Sequence, residues 1–294
     1  MLAAWLLVFA AAFDCSHAAV SRLQQKTVPT FRSDVRLIEV YVTILDSKGR
    51  YVSGLTRDQF EIVDDGIPCP ILAFEPVTSS FSCAILLDRT GSMLASMPVL
   101  KSATLRFIDS FRQDDSFSVF SFNTSLQTLQ DFTQDKNAAK QAVLRTIAQG
   151  ATALFDSLSE VSLQLSARKG KKVIVVFTDG GDNSSYLNAD AVIRRSKNLG
   201  IPVYAAAQGD ALANAGLMKT LREVSRATGG SSYAIKRSAD IEEVFQDITG
   251  NIQHSYMVAY VPPEADGVRW RSIRVNVKGM RDPRIRAREG YYSK

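Results

Sequence analysis

Three short runs of this 294-residue chain are apolar without a break: "CAILL" from Cys83, "VIVVF" from Val173 and "VYAAA" from Val203. Successive side chains of a strand point to opposite faces, so a strand can be apolar throughout only if both faces are covered. The stretches between the runs have helical spacing. In "SMPVLKSATLRFIDSF", Val99, Leu100, Ala103, Leu105, Phe107, Ile108 and Phe111 recur at broadly helical intervals. "KNAAKQAVLRTIA", "TALFDSLSEVSLQLSA" and "LMKTLREVSRATGG" also read as helices, "NADAVIRRSKNLG" as a capped helix ending on Gly200, and "SADIEEVFQDITGNI" as one opened by Ser238. "SFSVFSFN" and "SSYAI" add strands. Apolar strands alternating with helices specify an α/β domain, a doubly wound, mostly parallel sheet with helices on both faces.

The ends follow a different pattern. "VRLIEVYVTILD" alternates strictly, with Ile38, Val40, Val42 and Ile44 on one face, as in a half-buried strand. Thr56 and Gln59 have capping-box spacing and predict a single helical turn, and Asp65-Gly66 predicts a hairpin. After His254, "SYMVAYVPP", "WRSIRVNVKG" and "PRIRAREGYY" again read as strands. The two flanks are expected to pair into one small β unit interrupted by the α/β insert. The expected division is a signal peptide over 1–18, a linker over 19–33, β structure over 34–77, the α/β domain over 80–254 and β strands over 255–294.

The apolar run from Leu2 to Phe13 is too short to span a bilayer and precedes Ser16-His17-Ala18, a small-x-small cleavage pattern. Export through an N-terminal signal peptide is therefore expected, to the periplasm, the cell surface or the medium. No later stretch is long and apolar enough to be transmembrane. Cys15 would leave with the signal; Cys69 and Cys83 remain, and Cys83 inside an apolar run is expected to act as a small hydrophobe. The formal charge of +5 is mild and spread along the chain, which is no nucleic-acid signature. With two histidines, and His17 in the signal, a Ser-His-Asp or Cys-His site would rest on His254 alone.

Ligands of open α/β sheets bind beyond the carboxyl ends of the strands. Three polar clusters fall there: Asp88-Arg89-Thr90-Gly91-Ser92, "GATALFDS" with Thr152 as a helix cap after Gly150, and "VVFTDGGDNSS" with Asp179 closing a strand as Asp88 does. Asp88, Asp179, Thr90, Ser92 and Thr152 make five hard oxygen donors, a set suited to Mg2+, which takes oxygen ligands at about 2.0–2.1 Å and keeps several waters. Asp also commonly caps turns, which is the plain alternative for either residue alone.

"LLDRTGSM", "GATALFDSL" and "VVFTDGGDN" resemble, in order and spacing, the three loops of a von Willebrand factor type A domain over about residues 80 to 254. The flanks "VTILDSKGRYVSGLTRDQFEIVDDG" and "SYMVAYVPP…WRSIRVNVKG…RAREGY" are similar to the ends of bacterial VWFA-related proteins found mainly in acidobacteria. The resemblance implies a metal-ion-dependent adhesion site holding Mg2+, or Mn2+ or Ca2+. In it Thr90 and Ser92 would ligate by hydroxyl, Thr152 would join when ligand is bound, and Asp88 and Asp179 would act largely through water. It implies a non-enzymatic module that captures an Asp or Glu carboxylate of a protein partner. The family's first motif usually reads D-x-S-x-S, and Thr90 stands for its first Ser. Arg89 is expected to be a solvated turn residue.

Two other functions stay open from sequence. "DRTGS" also resembles the D-K-T-G-T nucleophile of P-type ATPases, which would make Asp88 the acceptor of a Mg-dependent phosphotransferase or phosphatase. Arg269, Arg271, Arg274, Lys278, Arg281, Arg284, Arg286 and Arg288 crowd the last strands, with Arg284, Arg286 and Arg288 expected on one face, and could bind a polyanion.

Overall fold

The computed structural model describes residues 37–293, so the expected signal peptide and linker lie outside the described residues. The N-terminal flank forms β1 (Ile38–Leu45), β2 (Phe60–Asp64), β3 (Ile67–Cys69) and β4 (Ile71–Glu75). The insert runs β5 (Phe81–Asp88), α1 (Met97–Asp109), β6 (Ser116–Phe122), β7 (Leu126–Thr133), α2 (Lys136–Leu144) and α3 (Leu154–Ser166). It continues with β8 (Lys171–Thr178), α4 (Ala189–Leu199), β9 (Val203–Gln208), α5 (Asp210–Ala213), α6 (Ala215–Thr228), β10 (Ser232–Ile235) and α7 (Ile241–Gln253). The C-terminal flank is β11 (Ser255–Tyr260), β12 (Trp270–Val277), β13 (Arg284–Arg286) and β14 (Gly290–Tyr292).

The insert's sheet has the order β10-β9-β8-β5-β6-β7, with parallel pairing throughout except for β7, which lies antiparallel on β6. Every residue of β5 and β8 is buried. Helices α1, α2 and α7 cover one face through a core including Leu100, Phe107, Val143, Phe245 and Ile248. Helices α3, α4, α5 and α6 cover the other through Leu154, Val161, Val192, Ala211 and Leu221. This is the doubly wound α/β architecture expected from the apolar runs. The antiparallel edge strand β7 was not foreseen, because "LQTLQDFT" is polar at most positions and half-buried at best.

The flanks interleave. β1 pairs antiparallel with β11 and β13, and β11 pairs with β4. β2 pairs with β12 and β3, and β12 with β14. The resulting four-stranded sheets, β13-β1-β11-β4 and β14-β12-β2-β3, share one core that includes Val40, Val42, Ile62, Tyr256, Val258 and Val275. The Asp65-Gly66 hairpin forms, with both residues at positive φ. Thr56 and Gln59 make their capping box over a 3-10 turn.

Several local expectations are revised. β1 is buried on both faces rather than half-buried, because Tyr41 and Thr43, opposite the sandwich core, lie against the insert. There the Tyr41 hydroxyl accepts the Lys172 N–H at 3.1 Å, and Glu39 pairs with the Lys172 ammonium at 2.8 Å. Helix α7 begins at Ile241 after a 3-10 turn over Ser238–Asp240, so Ser238 does not open it directly. The arginines of the last strands do not form one charged surface. β13 ends at Arg286, and Arg288 is buried, donating to the carbonyls of Glu39, Gly290 and Lys197. Lys197 lies in the last turn of α4, so Arg288 meets a helix C-terminus, where cations are favoured. Arg271 is also buried, and Arg269 and Lys278 pair with Asp65 and Glu61. Cys69 and Cys83 are free thiols. His254 stacks on Tyr51 with ring centroids 4.5 Å apart, and its Nδ1 lies 2.8 Å from the Gly250 carbonyl, a structural role.

The sandwich core contains one buried polar knot. The fully enclosed Asp64 carboxylate accepts from Arg271 Nε at 2.7 Å, Tyr260 Oη at 2.8 Å and Tyr291 Oη at 2.7 Å. Removing one member of a buried pair leaves an uncompensated charge. Asp64→Ala should therefore destabilise the protein by about 3–5 kcal/mol, read as a lower urea midpoint. Asp64→Asn, which keeps an acceptor, should lose less.

Candidate metal centre

β5 and β8 are neighbours, and the chain winds away from β5 in both directions, so their carboxyl ends flank the crevice where the topology reverses. Asp88 ends β5 and is fully buried. Its Oδ1 accepts the Thr90 N–H at 2.9 Å, and its Oδ2 accepts the Thr178 hydroxyl at 2.7 Å. The first bond turns the chain so that Thr90 and Ser92 project together, their hydroxyl oxygens 3.1 Å apart. Ser92 in turn donates to Asp179 Oδ1 at 2.7 Å, joining the first cluster to the third. Thr90 precedes the 3-10 turn Gly91–Leu94 but makes no side-chain cap bond, so its hydroxyl is available to the site.

Thr152 arrives from the second loop. The helix cap of α3 is Ala153, so Thr152 does not cap it as expected. Instead its backbone is stapled to the third loop: its N–H donates to Asn183 Oδ1 at 2.9 Å, and its carbonyl accepts from the N–H groups of Asn183 and Ser184 at 3.0 Å each. Asp182 accepts the Phe155 N–H at the start of α3, and Asp156 accepts the N–H groups of Tyr186 and Leu187. These acids are engaged by backbone, and they hold the two loops in register. The Thr152 hydroxyl oxygen would lie 3.3 Å from a Cβ at Gly180, and the Ser92 oxygen 3.6 Å from it. Glycine at 180 thus leaves open the space that Thr152, Ser92 and Asp179 surround. Gly150, at φ +88°, also needs to be glycine, since a Cβ there would come within 2.8 Å of Asn123 Nδ2.

Burial pushes the Asp88 carboxyl above the usual carboxylate range, against the hydrogen bonds from Thr178 and Thr90. Burial also raises Asp179, with repulsion from Asp88 and Asp210 added and the Ser92 hydrogen bond opposing. Among the described residues no Lys or Arg forms an ion pair with either carboxylate, and no group of three or more His, Cys, Asp and Glu could hold a metal. Two carboxylates without an ion-pair partner beside three hydroxyls match a hard divalent cation that takes oxygen ligands, and do not match zinc, which favours nitrogen and sulfur. Arg89 is not a solvated turn residue. It is half-buried and its Nε is enclosed with no hydrogen-bond partner, while its backbone binds the Phe122 carbonyl and the Gln149 N–H.

The family profile of the von Willebrand factor type A domain matches residues 83–249. The chain belongs to this family. A curated relative is an uncharacterized protein of Synechocystis sp., sll0103, 34% identical over 119 residues, covering 37% of this chain and 28% of that protein. The human voltage-dependent calcium channel subunit alpha-2/delta-2 is 28% identical over 114 residues, covering 34% of this chain and 10% of that subunit. The chain thus matches well under two thirds of the length of either relative. Among solved structures, a von Willebrand factor type A protein from Catenulispora acidiphila superposes with a TM-score of 0.53 at 17% identity, covering 88% of this chain and 75% of that one. Type A domains typically serve as interaction modules. No helix among the described residues of this type A protein is long and apolar enough to cross a membrane.

Sequence reasoning missed the supporting residues Thr178, Gly180, Asp182 and Asn183, although "FTDGGDN" already contained all four. Thr178→Val should remove the donor to a buried carboxylate oxygen and cost about 1–3 kcal/mol of stability without cation, with Thr178→Ser restoring most of it. Chemical denaturation in EDTA measures both.

Proposed function

We propose that the type A domain of this chain is an exported, divalent-metal-dependent binding module that captures an acidic side chain of a protein partner. The observation that supports this reading is the hydrogen-bonded run Asp88–Thr90–Ser92–Asp179, with the Thr152 and Ser92 hydroxyls both beside Gly180 and, among the described residues, no Lys or Arg paired with either carboxylate. Thr90, Ser92 and Thr152 would hold Mg2+, or Mn2+ or Ca2+, by hydroxyl, and Asp88 and Asp179 largely through water. A cation bound mainly by neutral hydroxyls supplies an electrophilic centre that a partner's carboxylate can complete.

The chain's own residues set the conditions for this. Thr178 holds one Asp88 oxygen, the Thr90 amide holds the other, and the Asn183 bonds fix Thr152. The Thr90 hydroxyl faces that of Ser92, so its methyl leaves the donor in place. Asp88 as a phosphoryl acceptor fares poorly. Both its oxygens are engaged and its carboxylate is enclosed, and the buried Lys171 and Lys172 lie at the opposite end of β8.

Calorimetric titration of the purified chain with Mg2+ or Mn2+ should show one saturable site, absent in Asp88→Ala and Asp179→Ala and kept in Thr90→Ser. Cation at about 100 times its Kd should add about 2.7 kcal/mol of stability, reversed by EDTA. A wild-type protein that takes up no divalent cation would end this reading, and phosphate incorporation at Asp88 would favour the phosphotransferase.

A further inference from the structure

At the amino ends of β5, β6 and β8, the far end of the sheet from the candidate metal centre, several basic side chains are tied to the fold. Arg112 donates to the carbonyls of Val77, Thr78 and Ser79, and Lys171 to those of Pro76, Val77 and Ser255. The Lys172 ammonium pairs with Glu39 and donates to the Arg168 carbonyl. Arg168 and Lys169, in the turn between α3 and β8, differ from these. Among the described residues neither forms an ion pair.

Arg168 is nevertheless held in place. Its N–H donates to the Leu165 carbonyl, and its own carbonyl accepts from Lys172 Nζ at 2.9 Å. The guanidinium carbon lies 3.9 Å from the centre of the Phe132 ring on β7. Nε donates to the Ser82 hydroxyl of β5 at 3.0 Å, and Nη2 to the Ser116 hydroxyl of β6 at 3.4 Å. Two of a guanidinium's five N–H donors are thereby used, and three have no acceptor among the described residues. Arg168 lines a polar cleft of about 870 Å³, walled by the link from β4 to β5, the loop before β6, the end of β7 and the turn before β8. Lys169 borders the same cleft, and so do Glu75 and Asp114, two acids that also have no ion-pair partner among the described residues.

A planar guanidinium matches the two oxygens of a carboxylate, and here Phe132 and two serines have already ordered it, which lowers the entropy lost on binding. Glu75 and Asp114 oppose a phosphate or sulfate carrying two negative charges. The same acids accept hydrogen bonds from a ligand's own O–H or N–H groups. We infer that this cleft binds a small carboxylate that also carries hydroxyl or ammonium donors, a sugar acid or an amino acid. The ligand's carboxylate meets Arg168 and Lys169, and its donors meet Glu75 and Asp114. Binding here needs no cation and is separate from the function proposed above. Glu75 ends β4 and Ser82 lies at the start of β5, so a ligand reaching both bridges the sandwich and the insert.

Calorimetric titration of the full chain with galacturonate and with alanine tests this, in EDTA so that the candidate metal centre does not contribute. The expected result is saturable binding of one or both, with Kd about 1 mM or below; which of them binds identifies the donor that the acids accept. Galactose and ethylamine, which lack the carboxylate, and inorganic phosphate should bind about tenfold more weakly or not at all. Arg168→Lys, which keeps the charge and loses the fork, and Lys169→Glu should each weaken binding about tenfold or more, with circular dichroism unchanged. Lys169 is exposed and unpaired, so its variant reads out the site even where Arg168→Lys does not fold. No saturable binding of either carboxylate, equal or tighter binding of galactose, ethylamine or phosphate, or wild-type affinity in either folded variant would each overturn the assignment.

Discussion

The buried ammonium of Lys171 joins the two parts of this fold. It is 1% exposed and donates to the carbonyls of Pro76, Val77 and Ser255 at 3.1–3.4 Å. Pro76 and Val77 belong to the segment that leaves β4 for the insert, and Ser255 begins β11, where the chain returns from α7. One side chain at the start of β8 therefore holds both crossings. Burial lowers its pKa to about 8, with Arg112 acting in the same direction and Glu75, Asp115 and Asp114 opposing, so the group stays mostly charged at neutral pH. The three carbonyl bonds are what make a buried cation tolerable there.

This placement has a consequence for function. β8 runs from Lys171 at the crossings to Thr178 beside the candidate metal centre, a distance of roughly 23 Å at ~3.3 Å per residue. Both crossings enter at the amino end of the parallel strands, and Tyr41, Glu39 and Arg288 add the sandwich contacts to β8 and α4. The carboxyl end is thereby left without a covering partner from the chain's own described residues. The sandwich closes the end of the sheet that must be tied, and the loops project from the end that can meet another molecule.

Much of this was legible in sequence because it follows from local chemistry. Unbroken apolar runs announced β5, β8 and β9 of the central sheet, and the hydroxyls and carboxylates placed after β5 and β8 marked out the candidate site. The remainder depended on tertiary context. Arg271 and Arg288 read as outward charges, yet both are buried, since a strand pattern does not reveal that Asp64 or the C-terminal carbonyls of α4 lie opposite. β7 was missed because an edge strand needs little apolar content. Asp182 and Asn183 looked like ordinary loop residues and Asp156 like an ordinary helix residue, because their partners are backbone groups about 30 positions away. Thr152 looked like a helix cap because it stands one residue before the true one.

The site itself departs from the rule that the rest of the fold obeys. In the sandwich, the buried carboxylate Asp64 has a guanidinium and two phenols to satisfy it. In the crevice, Asp88 and Asp179 have hydroxyl and amide donors and, among the described residues, no ion-pair partner; burial raises both carboxyls above the usual range, and repulsion from Asp88 and Asp210 adds to it at Asp179. Chains generally pair their buried charges with opposite ones, and two carboxylates left with neutral donors mark a place where stability has been subordinated to another requirement. Ser92 and Thr178 donate to these acids in the meantime, so the loops hold their arrangement. In the proposed reading, a species bringing two positive charges and a preference for oxygen would relieve this concentration of carboxylates, which their neutral donors cannot do.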